Sequence, residues 1–166
     1  PAKPRSDEAL AANPSGKIPA LEVEGRTITD SVAIMTYLAD RHGALTYGAG
    51  TLERARQDAL TLMILDEVEA LVWMAARHSF VLPEDRRVPE VKNSLKWEYE
   101  QVLPRLEAAL EGPFLTGEMM TIPDMLLTHC LSWAERAGFA DAPAGLADLR
   151  SRMEARDAFQ RVLALP

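Results

Sequence analysis

One short alternating stretch limits what this chain can become. Between Ile18 and Ile28, apolar Leu21 and Val23 alternate with Glu22 and Glu24, Gly25 follows as a turn residue, and "RTIT" resumes in extended style. That is the pattern of a hairpin with one buried face. A lone two-stranded hairpin is marginally stable in water, so it needs further strands or a packed helix. A helix is at hand. Asp30 is a good N-cap, Val32, Ile34, Met35 and Leu38 supply an apolar face, and Gly43 marks the end. Before the hairpin, "SDEALAANPSGK" reads as a small helix stopped by Asn13, Pro14 and Gly16.

The remainder is helical in pattern. Leu60, Ile64, Val68, Leu71 and Ala75 fall at helical spacing in a long segment from about Thr51 to Phe80. Pro83 and Pro89 frame a loop. Val91, Leu95, Tyr99, Val102, Leu106 and Leu110 then mark a second long helix, with Pro104 inside it as an expected kink. A third helix is expected from Thr121, and two shorter ones around Leu146–Arg156 and Asp157–Leu165. The fold class is thus mostly α with a small α/β part.

Bulk properties exclude several functions. A net charge of −7, with no dense Lys/Arg cluster, argues against a nucleic-acid partner. No apolar run approaches a membrane span, and the first residues lack the apolar core of a signal peptide, so a cytoplasmic location and no membrane partner are expected. The single cysteine, Cys130, rules out an internal disulfide framework. His42, His78 and His129 are scattered without metal-ligand spacing, so no metal is expected. His129 reads as a satisfied core or boundary residue and Cys130 as a small buried hydrophobe.

Two motifs carry more. In "KIPAL", the Ile18-Pro19 amide can be cis, which would turn the neighbouring backbone groups toward an extended peptide ligand. Asp30-Ser31 at a helix start offers free amides and a hydroxyl to a carboxylate and a carboxylate to an ammonium. The plainer alternative is a trans proline opening an edge strand and a simple helix cap. The second motif, "MTIPD", is a capping box with Thr121 as N-cap and Asp124 three residues on, flanked by Met120 and Met125 as a hydrophobic staple. Near the end of the long helix, Trp73, Met74, Arg77 and His78 are either the apolar wall and polar lip of a cleft or a solvated helix end.

Taken together, "NPSGKIPALEVEGRTITDSVAIMTYLADR", "FLTGEMMTIPDMLL" and "ARDAFQRVLAL" resemble the glutathione transferase family across nearly the whole chain. The resemblance implies the C-terminal half of a thioredoxin-like domain over residues 1–44 and an all-helical C-terminal domain over 51–166. It implies that Ile18, before Pro19, pairs with the cysteinyl part of glutathione. Asp30 and Ser31 then hold the γ-glutamyl end, and Lys17 reaches the glycine carboxylate. Trp73, Met74, Arg77 and His78 become the site for an apolar electrophile. Glutathione is co-substrate, no other cofactor is implied, and a homodimer is expected. Family members begin with a strand, a helix and a second strand that carry the thiolate-stabilising Ser, Tyr or Cys. No residue of this sequence corresponds to that group, so an upstream segment is expected and the catalytic residue is left unassigned. These 166 residues alone are expected to be inactive as a transferase. The alternative is a non-catalytic binding or assembly module of the same fold.

Overall fold

The computed structural model describes residues 6–165. A short helix α1 (Asp7–Ala12) leads to the expected hairpin of β1 (Ala20–Val23) and β2 (Arg26–Thr29), antiparallel with Leu21 opposite Ile28. Glu24 and Gly25 make the two-residue turn with φ of 52° and 73°. Positive φ at both positions is the primed geometry whose twist suits a hairpin, and Gly25 takes it without a Cβ penalty. Leu21, Val23 and Ile28 are half-buried on the face that packs against α2 (Ser31–His42). Asp30 caps α2, its Oδ1 accepting the Val32 and Ala33 amides at 2.9 and 3.1 Å. Gly43 ends the helix in the left-handed region. Of the expected apolar face of α2, Ile34 is buried, whereas Leu38 is exposed and Ala39 takes its place in the interior.

A polar junction follows. Tyr47 donates its amide to Gln57 Oε1 (3.0 Å) and its hydroxyl to the Thr116 carbonyl (3.0 Å), and the Ile122 amide reaches the Leu45 carbonyl (3.2 Å). Gln57 is buried with both ends of its amide engaged, its Nε2 donating to Thr46 Oγ1. Burying an amide side chain is tolerable only with its hydrogen bonds made.

The long helical run differs from a plain α-helix. It consists of α3 (Leu52–Ile64), a π-turn at Leu65–Glu69, α4 (Ala70–Ala76) and a second π-turn at Arg77–Val81. The Ala70 amide bonds the Leu65 carbonyl and the Leu82 amide the Arg77 carbonyl, each five residues back. After a 3₁₀ turn at Glu84–Arg86 come α5 (Val91–Ala108), α6 (Ile122–Arg136), α7 (Ala144–Glu154) and α8 (Asp157–Leu163). Pro104 lies inside α5, and Leu110 falls beyond the end of that helix.

The core belongs to these helices. Ile64, Val68 and Val72 meet Tyr99, Leu106, Leu127, Cys130, Leu131, Leu146 and Leu149, all essentially inaccessible. The Tyr99 and Phe139 rings meet edge to face at 5.1 Å, and burial pushes the Tyr99 hydroxyl up to about 12. At the head of α6, buried Asp124 ties the entrance loop. Its Oδ1 accepts the Leu115 amide at 2.8 Å, and its Oδ2 accepts the Thr121 amide at 2.7 Å and the Thr121 hydroxyl at 3.0 Å.

Candidate functional site

A cleft of roughly 590 Å³ opens where the hairpin end meets the helical bundle. One side is the loop of Ser15, Gly16, Lys17 and Ile18 together with Asp30 and Ser31 at the head of α2. The other is formed by the long helical run and α6. The Ile18-Pro19 peptide is cis. Asn13 organises the loop before it: its Nδ2 donates to the Lys17 carbonyl (2.8 Å) and its Oδ1 accepts from the Ser15 amide and hydroxyl. Buried Asn13 thereby holds the stretch that presents Lys17 and Ile18. Asp30 sits at a φ of 76° with one carboxylate oxygen occupied by the α2 cap. Its other oxygen has no partner among the described residues.

The opposite wall depends on the two π-turns. Leu65, Glu69, Trp73 and Val81 all line the cleft. On an uninterrupted α-helix, sixteen positions amount to about 160° beyond whole turns, which would put Val81 nearly opposite Leu65. Each π-turn takes up about one extra residue, so two of them return Val81 to within about 40° of the Leu65 direction. The helical run therefore keeps one face on the cleft from Leu65 to Val81.

From α6, Leu126, His129 and Trp133 complete the wall. The Trp73 and Trp133 rings lie 6.3 Å apart at 53°, and His129 is 6.0 Å from Trp133. The Lys17 ammonium stands 5.6 Å from the Trp73 ring centroid, within cation–π range. Burial raises the Glu69 carboxyl, with Asp30 adding to that rise and Lys17 opposing it. Burial lowers the His129 imidazole, assisted by the charge of Arg136.

The anticipated residues divide clearly. Lys17, Ile18, Asp30 and Ser31 line one cleft together with Trp73. Pro19 supplies the cis bond beside them. Met74 instead packs against the helical core. Arg77 and His78 do not line the cleft, and His78 Nδ1 is occupied by the Val88 amide at 2.9 Å. The second π-turn begins at Arg77 and displaces the residues after it. Thr121 and Asp124 form their capping box at the head of α6 and do not line the cleft.

His129 stands at the boundary of the bundle, partly open at the cleft surface and partly desolvated, while its neighbour Cys130 is buried. Burial pushes the Cys130 thiol up to about 12, so it is no nucleophile. Glu69, Leu126, His129 and Trp133 were not anticipated in the cleft. Glu69 and Trp73 are four positions apart, as are His129 and Trp133, which is the spacing of one helix face. Among the described residues no three His, Cys, Asp or Glu side chains gather as a metal set, and no helix is long and apolar enough to cross a membrane.

Known proteins place this arrangement. The family model for the glutathione S-transferase N-terminal domain matches residues 1–41. Elongation factor 1-gamma of Trypanosoma cruzi is 33% identical over 135 residues, covering 80% of this chain and 31% of the relative. Glutathione S-transferase GST-4.5 of Xanthomonas campestris pv. campestris is 29% identical over 166 residues, 96% of this chain and 76% of the relative. Among solved structures, a sphingomonad glutathione S-transferase complexed with glutathione superposes with a TM-score of 0.79 at 26% identity, covering 95% of this chain and 78% of that one. The chain spans between about a third and a half of the length of the first curated relatives it matches. Together these findings make the chain similar to glutathione S-transferases, and its fold resembles the thioredoxin-like and all-helical parts of that architecture.

Proposed function

We propose that this chain, similar to glutathione S-transferases, carries the glutathione-holding part of a transferase that joins glutathione to an apolar electrophile. The observation that carries the reading is the convergence of Ile18, beside its cis proline, with Asp30 and Ser31 on one cleft. In this reading the Ile18 backbone pairs with the cysteinyl residue. The free Asp30 oxygen takes the γ-glutamyl ammonium, the Ser31 hydroxyl and amide take its carboxylate, and Lys17 reaches the glycine carboxylate. Trp73, Trp133, Leu126 and Val81 hold the electrophile against the thiol, and catalysis comes chiefly from that juxtaposition. The superposition on a glutathione-bound relative supports the assignment. We place residues 1–44 and 51–166 in its two domains.

The group that stabilises the thiolate is not assigned to any residue here. Cys130 is buried, and the Ser15 hydroxyl is engaged with Asn13. The protein is further proposed to be a cytoplasmic homodimer. Exposed Leu62, beside Met63 and Leu65 in a groove on the long helix, supports an apolar contact between copies. Light scattering of the purified chain tests this directly.

A second reading, a non-catalytic binding or assembly module, is favoured by the likeness to an elongation factor subunit. Calorimetric titration of the intact gene product with glutathione separates the two. The transferase reading requires saturable binding that weakens at least tenfold in Asp30→Asn. No binding, or binding indifferent to that change, leaves the assembly reading.

A further inference from the structure

We propose that the Trp73 face and the Glu69 carboxylate form a cation subsite in the cleft, which takes a ligand's ammonium or quaternary ammonium group and is occupied by Lys17 when the cleft is empty. Three observations carry it. The chain's own ammonium already sits on the Trp73 ring, 5.6 Å from its centroid. Glu69 is one helical turn before Trp73 on the cleft-facing side, partly buried, and has no hydrogen-bond or ion-pair partner among the described residues. Trp133 stands 6.3 Å from Trp73 at 53°, adding a second aromatic wall to the same space.

The physical reasoning is that of aromatic cages. An indole face attracts a cation through its quadrupole, and the attraction grows where water is excluded. A partly desolvated carboxylate beside that face strengthens the preference for positive charge and penalises a ligand anion. The charged and titratable groups facing Glu69 are Lys17 from the loop, Asp30 from the head of α2, and Cys130 beneath it on α6. His129 shares the cleft, and burial favours its neutral form. One positive charge therefore meets two negative ones, and Asp30 has one oxygen committed to its helix cap. When Lys17 leaves Trp73, negative charge and aromatic surface remain.

The subsite concerns the ligand opposite glutathione and does not depend on glutathione binding. Its test therefore omits glutathione. Phenyltrimethylammonium, benzyl alcohol and benzoate are titrated calorimetrically into the full chain and into Glu69→Gln, Trp73→Leu, Lys17→Met and Trp97→Leu, each checked for fold by circular dichroism. Trp97 is exposed and does not line the cleft, so its variant serves as control. The expected result is that phenyltrimethylammonium binds about tenfold more tightly than the neutral or anionic ring. Glu69→Gln and Trp73→Leu should each remove most of that preference, Lys17→Met should strengthen cation binding by vacating the ring, and Trp97→Leu should change nothing. Equal binding of the three rings, indifference to Glu69→Gln, weakened binding in Lys17→Met, or an equal loss in Trp97→Leu overturns the proposal.

Discussion

The guanidinium of Arg54, on α3, lies 2.7 Å from the carboxylate of Asp40, on α2. Arg54 also grips Asp58 at 2.9 Å and the Tyr47 carbonyl at 3.2 Å, with its side chain only 11% exposed. One planar group thus holds the hairpin-bearing helix to the long helical run, using the fork geometry that lysine lacks. Arg54→Met is expected to raise amide hydrogen exchange in α2 while leaving α6 protected, and Arg54→Lys should restore only part of the protection. Equal exchange in wild type and Arg54→Met would remove this link from the fold's account. The Arg54 hydrogen bond holds the Asp40 carboxyl below its usual value. This stabilising contribution is present above about pH 4 and is lost as pH falls through the lowered folded pKa.

The Asp124 carboxylate is the stability determinant of α6. Thr121→Ala removes one hydroxyl and should cost on the order of 1 kcal/mol. Asp124→Ala strands the Leu115 and Thr121 amides in a buried place, at roughly 2–4 kcal/mol. Asp124→Asn should not rescue it, because both oxygens accept and an amide turns a donor toward one of those N–H groups. Urea denaturation reads all three. Asparagine matching wild type would show that this geometry does not govern stability.

His129 should titrate below the usual histidine range, since burial and Arg136 both disfavour its cation. The folded state then binds fewer protons than the unfolded state as pH drops through about 6.5, and stability falls across that window. His129→Gln should flatten this part of the pH–stability curve. Proton NMR of the imidazole gives the midpoint, and a value above 6.5 would contradict the assignment.

In the proposed reading Asp30 both caps α2 and holds glutathione, two tasks that substitution can separate. Asp30→Ala removes the α2 cap and should lower thermal stability, at about 1 kcal/mol, along with glutathione affinity. Asparagine is itself a good N-cap, so Asp30→Asn should spare the melting temperature and still lose affinity. Parallel loss of both in each variant would mean that the residue acts only through the helix.

The 166-residue polypeptide made alone should turn over a standard electrophile negligibly with glutathione. Cys130 is inert by burial and Ser15 is spent on Asn13. Turnover comparable to an intact family member would sink this expectation.

Much of the frame was legible in the sequence because its signals are local. Glu24-Gly25 names its turn, Asp30 and Gly43 bracket α2, and Thr121 with Asp124 announces α6. Ile18, Pro19, Asp30 and Ser31 could be grouped because an Ile-Pro step and a helix start lie close in sequence, while the role proposed for them came from the family resemblance. The opposite wall was not legible for the converse reason. A π-turn has no residue signature in "LDEVE" or "RHSFV", yet each shifts everything after it by one position. Of the four residues taken together at the end of the long helix, only Trp73 lines the cleft, beside Glu69 and Val81. His129 and Trp133 join them only through the packing of α6 on the long run, a long-range relationship that spacing along one helix cannot display.

Two of the chain's three tryptophans, Trp73 and Trp133, line the cleft, while the third, Trp97, stands 62% exposed on the outside. Their emission therefore has two parts: one from rings that a guest would touch and one from a ring already in water. A ligand stacking between the inner pair would change colour and lifetime in the first part and leave the second as an internal standard. The molecule carries its own optical gauge of occupancy, with no label attached.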